Sequence, residues 1–187
     1  MIKKSVLDDH VTSVQIDANN CFEVFLSTNT KTDEVVVTGE IDGEYSKDLK
    51  VDLVKKGNSI FINAGFSANF KDPNDKLSAH KVVAIALKIT IPEWKLVSLF
   101  GTNTRVVASG NYEKLSITLS DGSCELEAIG KDVNAKTHSG DISVKALSGL
   151  VHAKSKYGTI HLDAIPKSQN SYTLNTVTGN IALYKTE

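Results

Sequence analysis

The chain has 187 residues, with 21 Lys and Arg against 22 Asp and Glu and a formal net charge of -1. That balance excludes wholesale binding to nucleic acid or to an anionic membrane, both of which need a basic surface. Only three prolines occur and no low-complexity segment breaks the chain, so a single domain over 1–187 is expected, long enough for a substantial core.

The first ten residues, Met-Ile-Lys-Lys-Ser-Val-Leu-Asp-Asp-His, carry two lysines but no apolar h-region, and no 18-residue apolar run follows. No membrane insertion is expected. The chain reads as cytoplasmic as it stands, or as a cell-surface or periplasmic protein if it is a mature fragment. Residues 11–18, 21–28, 33–41, 47–55 and 58–64 read as strands. Val14, Ile16 and Ala18 alternate with polar residues; so do Phe22, Val24 and Leu26, and Ile60 and Ile62. Such period-two alternation marks a strand with one face buried. Asn19-Asn20, Asp42-Gly43 and Gly57-Asn58 are the turn candidates, the last of them the best hairpin signal. Residues 65–80 form the longest expected loop, with Phe66 and Phe70 folding back onto the core. Residues 82–91 alternate β-branched side chains up to Pro92 and are expected to form a strand.

Beyond residue 92 the pattern becomes periodic. Gly101, Gly122, Gly140, Gly158 and Gly179 follow one another at intervals of 21, 18, 18 and 21 residues. Two residues after the last four stand Cys124, Ile142, Ile160 and Ile181; four after stand Leu126, Val144, Leu162 and Leu183. Five before stand Ile117, Ala135, Ala153 and Leu174; seven before stand Leu115, Val133, Val151 and Tyr172. Each unit therefore reads as an alternating segment, a turn at the glycine, and a second alternating segment. Glycine suits such a turn through positive φ or close backbone approach. One unit cannot bury its own apolar face, but stacked units can, each about 4.8 Å from the next. The expected fold is all-β, a β-helix or β-solenoid, with regular rungs over 82–187 and irregular capping strands over 1–81. Cys124 falls in an inward column as a small hydrophobe, and two cysteines so far apart make no disulfide framework.

Three stretches carry a family resemblance. They are Thr90-Ile91-Pro92, Leu96-Val97-Ser98-Leu99-Phe100-Gly101, and Thr137-His138-Ser139-Gly140-Asp141-Ile142-Ser143-Val144. Together they resemble the bacterial putative-adhesin β-helix family, whose members repeat Ser-Gly-Asp-Ile-like turns after a strand ending in Pro. Only the rung at Gly140 has the full form. The resemblance covers 82–187 well and the N-terminal strands loosely. It implies a single-stranded right-handed β-helix and defines no catalytic residues.

The outward columns are where chemistry would sit. Five residues after the glycines stand Glu127, Lys145, Asp163 and Tyr184. Two strand steps would separate Glu127 from Asp163 by about 9–10 Å, near the upper end of carboxylate spacings in inverting glycosidases. A lysine between the two acids keeps both ionised, which suits a charge ladder better than a general acid. Lys136 and Lys154 are expected to be neighbours in one outward column, which reads either as a solvated face or as a patch for an acidic ligand. His138, His152 and His161 sit at different offsets from their glycines, so no metal set is expected. No nucleotide-binding, nucleophile-elbow or calcium-repeat motif is present, and no cofactor is implied.

The sequence therefore points to a non-catalytic, adhesin-like β-solenoid that binds a polysaccharide or a cell-envelope protein. Lys136, Lys154, Glu127, Lys145, Asp163 and His161 are the candidate binding residues. Two alternatives remain open: a carbohydrate-active enzyme on a β-helix, by fold analogy alone, and a regulatory or assembly module. For the last, the final rung, about 166–187, would stack end to end in a homodimer.

Overall fold

The computed structural model describes residues 2–6, 10–41, 49–66, 84–127 and 129–186. They form an all-β protein of two sheets. The N-terminal strands are β1 (Ile2–Val6), β2 (Ser13–Asp17), β3 (Cys21–Asn29), β4 (Glu34–Ile41), β5 (Leu49–Lys56) and β6 (Ser59–Phe66). Next come β7 (Ile85–Pro92), β8 (Leu96–Gly101), β9 (Arg105–Ser109), β10 (Lys114–Leu119), β11 (Cys124–Glu127) and β12 (Asp132–Lys136). The chain ends with β13 (Ile142–Ala146), β14 (Leu150–Ser155), β15 (Ile160–Leu162), β16 (Ser171–Thr176) and β17 (Ile181–Lys185). A nine-stranded sheet has the order β1-β4-β7-β3-β9-β11-β13-β17-β15, and an eight-stranded sheet the order β14-β16-β12-β10-β8-β2-β6-β5. From β2 onward the chain mostly alternates between the sheets. Inward side chains from both sheets, including Val97, Leu115, Val106 and Ile142, join one apolar cluster.

The expected strands correspond to β2 through β7, and β1 was not foreseen. Gly57, at φ 59, makes the left-handed turn between the antiparallel strands β5 and β6, as the hairpin reading requires. Phe66 belongs to β6, not to a loop, and packs against the core; Phe70 and the Asp42-Gly43 turn lie outside the described residues. Phe22 does not take its expected inward position. The register shifts between Cys21 and Glu23, so Cys21 turns inward and Phe22 is exposed.

The stacking order departs from the chain order at both ends. Residues of β2 and β3 do not cap the stack: β2 lies between β6 and β8, and β3 between β7 and β9, all in parallel. Only β1-β4-β7 and β5-β6 are antiparallel. At the other end the last segment, β16 and β17, slides between β12-β13 and β14-β15. The terminal position expected for 166–187 therefore belongs to 150–163. Side-chain size explains the exchange. Tyr172, Leu174, Ile181 and Leu183 are buried by the insertion, whereas Ile160 and Leu162 at the end of the stack stay 44% and 43% exposed. Burying the larger apolar set gives the greater stabilisation, about 1.5–3 kcal/mol per full side chain.

The glycines form one corner, in the spatial order Gly122, Gly140, Gly179, Gly158. A Cβ on any of them would fall well inside contact distance of a backbone carbonyl oxygen, that of Thr104, Gly122, Gly140 and Gly179 respectively. None has positive φ; among the described residues the positive-φ glycines are Gly57, Gly110 and Gly149. Close backbone approach alone thus selects glycine here. Gly101 does not belong to this column: it ends β8 opposite Leu119, and Thr104 takes the equivalent corner. The buried Thr104 hydroxyl lies 3.0 Å and 2.8 Å from the carbonyl oxygens of Ala18 and Cys21, fastening the corner to the adjacent turn.

A second corner signal was readable but missed. Three residues before Gly140, Gly158 and Gly179 stand Thr137, Ser155 and Thr176. The amide of Gly179 donates to Thr176 Oγ1 at 3.1 Å and that of Gly158 to Ser155 Oγ at 2.9 Å. The Ser155 hydroxyl then donates to the Gly179 carbonyl at 2.8 Å, one strand layer away. These side chains satisfy turn amides and tie one layer to the next.

Both cysteines are free and buried. Burial pushes each thiol up to about 12 from an ordinary 9.0, with Asp17 adding to the shift at Cys21. Burial also raises Tyr112 and Tyr172. A raised folded-state value means these groups add stability below their unfolded values and lose it as the pH rises towards the folded ones. The denaturation midpoint should fall between about pH 9 and pH 12, with a shallower fall in a Cys21→Ala/Cys124→Ala variant. An equally steep fall in that variant would remove the thiols from the account.

Candidate binding surface

Alternation places every second residue of the nine-stranded sheet on its outer face. One outer column runs Thr90, Ser27, Ser109, Glu127, Lys145, Tyr184, with Asp163 beyond it. The neighbouring column runs Lys88, Phe25, Val107, Glu125, Ser143, Ala182, His161. A half-open hollow of about 530 Å³ follows these columns across β9, β11 and β13, lined by Ser109, Ser123, Glu125, Glu127, Ser143 and Lys145 among others. A second, of about 370 Å³, continues it across β3 and β7 past Phe25, Ser27 and Lys88. The two are adjacent, sharing Val107 and Ser109 in their lining, and together lie over five strands, a span of about 20 Å at about 4.8 Å per strand.

The trough mixes hydroxyls, charges and one exposed ring, Phe25. Arg105 bridges Glu23 and Glu125 at its edge, with Nη2 2.8 Å from Glu125 Oε1. The hydrogen bonds that the guanidinium donates to Glu125 and then Glu23 raise it above its ordinary value. Lys145 Nζ is 3.9 Å from Glu127 Oε2. Both groups are more than half exposed, so the pair adds little stability and leaves its polar atoms open to a ligand.

The insertion of β17 changes the expected acid ladder. Tyr184 pairs with Lys145, and Asp163 lies beyond it, so Glu127 and Asp163 are three strand steps apart instead of two. That is about 14 Å, beyond the spacing at which two carboxyls flank one glycosidic bond. At the end of the column His161 Nε2 sits 3.1 Å from Asp163 Oδ1, and its ring centroid is 5.8 Å from that of Tyr184. The amide of Lys185 donates to Asp163 Oδ2 at 3.0 Å. That backbone bond first, and His161 second, hold the Asp163 carboxyl below its usual range.

Lys136 and Lys154 lie on the other sheet and are not neighbours. Asn175 of β16 pairs with both and separates them, so the like-charge pair that suggested an anionic ligand does not form. His138 occupies the glycine corner, His152 lies on β14 and His161 on β15. Among the described residues no three His, Cys, Asp or Glu side chains gather as a metal set.

The sequence reading passed over Trp94. It is half exposed and has φ 61, the one non-glycine residue with positive φ among those described. Such a conformation is uncommon for a bulky side chain. Lys131 Nζ stands 5.2 Å from its ring centroid and 2.6 Å from Glu113 Oε2. A hollow of about 260 Å³ beside it is lined by Asn111, Leu147, Asn170 and Tyr172. The signal available in the sequence was a lone Trp two residues after a strand-ending proline.

No protein-family model matches this chain, and no curated protein matches it. Solved structures do. A putative cell adhesion protein from Clostridium sporogenes is 12% identical, aligns over 100% of this chain and 99% of its own, and superposes with a TM-score of 0.63. Putative adhesins from Bacteroides fragilis and Parabacteroides distasonis, 12% and 13% identical, each cover 98% of this chain and 96% of their own at TM-scores of 0.33 and 0.34. At these identities the first likeness speaks for a shared fold.

Proposed function

We propose that this chain is a non-catalytic, adhesin-like binding module, built as a right-handed β-solenoid, whose trough on the nine-stranded sheet takes an extended polysaccharide. The observation that carries the reading is the adjacency of the two hollows, which share Val107 and Ser109 in their lining. An open trough of this kind fits a polymer lying across the strands better than a small molecule, which needs enclosure. Serine hydroxyls and the Glu127–Lys145 pair offer hydrogen bonds to sugar hydroxyls, and Phe25 offers an apolar face to a ring. The wide separation of Glu127 and Asp163 supports a binding role over hydrolysis, as does the naming of the Clostridium sporogenes protein for cell adhesion.

The test is equilibrium binding of the intact chain to a panel of polysaccharides, with reducing-end release measured in parallel. At least one polymer should bind without being cleaved. Phe25→Ala should weaken that binding about tenfold or more, the scale of one stacked aromatic contact, with an unchanged denaturation midpoint. Lys136→Ala on the opposite sheet should leave it unaltered. Cleavage of the bound polymer, or full binding by Phe25→Ala, would overturn the reading.

A further inference from the structure

Trp94 is the chain's single tryptophan. It stands in the turn between β7 and β8 at φ 61, with 49% of its surface open. A bulky side chain in the left-handed region is strained, and such strain persists only where the surroundings fix it. Hydrogen bonds to three other segments pin this turn. The Glu93 amide donates to the Asn29 carbonyl at 3.2 Å, the Trp94 amide to the Asn111 carbonyl at 3.1 Å, and Lys95 Nζ to the Val11 carbonyl at 2.8 Å. Gly130 clears space for the indole. A Cβ there would lie 3.3 Å from Trp94 Cζ3 and 2.9 Å from the Tyr112 carbonyl oxygen. The ring is thus held at the surface in a costly conformation instead of being packed into the core.

The hollow of about 260 Å³ beside the ring shares no lining residue with the trough. Its wall combines apolar surface from Trp94, Leu147 and Tyr172 with the side chains of Asn111 and Asn170. The side-chain amide of Asn170 makes no hydrogen bond among the described residues, so its donors and its acceptor are open. The charges beside the hollow select against a charged ligand. Lys131 Nζ already holds the place of a cation, 5.2 Å from the ring centroid, and lies 2.6 Å from Glu113 Oε2. Glu93 Oε1 accepts from Asn111 Nδ2 at 2.7 Å. A cation finds the ring taken, and an anion meets two carboxylates bonded to the lining residues.

We infer that this hollow is a second binding site, which takes one neutral pyranose ring against the open surface of Trp94, with Asn111 and Asn170 bonded to its hydroxyls. A pyranose has an apolar C–H face and a rim of hydroxyls, the same division as the wall of the hollow. Drug-sized ligands fill about 300–1,000 Å³, so a hollow of about 260 Å³ holds a single ring. The inference stands apart from the polysaccharide reading, because the hollow lies at the corner between the sheets and the trough on the outer face of one of them.

Because Trp94 is the single tryptophan, its emission reads this hollow directly. The intact chain is titrated with neutral hexopyranoses, each as the free sugar and as its methyl glycoside, up to about 100 mM. At least one should change the emission saturably, with a dissociation constant on the order of 1–10 mM, the scale of a ligand with about twelve non-hydrogen atoms. Equal binding of the two forms places recognition in the ring and admits the end of a glycan; binding of the free form alone assigns the site to a monosaccharide. Asn170→Ala should raise the dissociation constant about fivefold or more, with an unchanged denaturation midpoint, and the corresponding uronic acid should bind about tenfold more weakly or worse. Phe25→Ala should titrate like the parent, so this site and the trough stand or fall separately. Three results would overturn the inference: no saturable change with any neutral pyranose, parental affinity in Asn170→Ala, or a uronate bound as tightly as the neutral sugar.

Discussion

Gly140→Ala is expected to lower the free energy of unfolding by on the order of 4 kcal/mol, a loss reserved for a few mechanisms of which enforced backbone displacement is one. The new Cβ would lie within the space of the Gly122 carbonyl oxygen, and the Gly140 carbonyl is itself crowded by Gly179. Relief therefore requires moving one layer against two others, and the serine and threonine bonds at the corner resist that movement. A domain of this kind has about 5–15 kcal/mol to lose, so a large part of the population should be unfolded at modest urea. Gly57→Ala is the control, because no atom lies within 4 Å of its would-be Cβ. Its left-handed φ alone should cost about 1 kcal/mol. Equal urea midpoints for the two variants would refute the crowded corner.

Ile181→Ala is expected to cost about 2–5 kcal/mol and Ile160→Ala about 1 kcal/mol or less. The two residues hold the same column position two places after their glycines, and they pair directly. Ile181 is 1% exposed because β17 is flanked on both sides; Ile160 is 44% exposed because β15 is outermost. Stacking in chain order would reverse the ranking, with Ile160 interior and Ile181 at the end. Urea denaturation of both variants thus reads the order of the layers directly. An Ile160 loss equal to or larger than the Ile181 loss would place the last segment at the end.

The same comparison shows where sequence reasoning stops. Alternation located the strands, the glycine offsets located the columns, and Cys124 fell into the core as expected. None of this orders the layers. Val133, Val151 and Tyr172 all satisfy one column, and the pattern is indifferent to which lies beside which. What decides is the apolar volume each layer brings, a comparison between segments that no local pattern contains. Gly101 was misplaced because its interval matched the period although Thr104 held the corner. Phe22 was misplaced because a one-residue register shift reverses the faces of a strand. The acid ladder inherited the ordering error, since Asp163 was placed one layer too near Glu127. The trough was not legible at all: Phe25, Ser27 and Ser109 are ordinary outward residues until register brings them together.

The insertion of β16 and β17 has a consequence for biosynthesis. A ribosome adds roughly 5–20 residues per second, so residues 150–163 are synthesised before the strands β16 and β17 that come to lie inside them. During that interval the edges of β12 and β13 are open, and β14 and β15 fit them in the same columns. A chain whose residues 150–163 paired with β12 and β13 before β16 and β17 formed would hold a differently ordered stack, and reaching the observed order would mean reopening that contact. A denatured full-length chain, with every segment present from the start, meets no such delay.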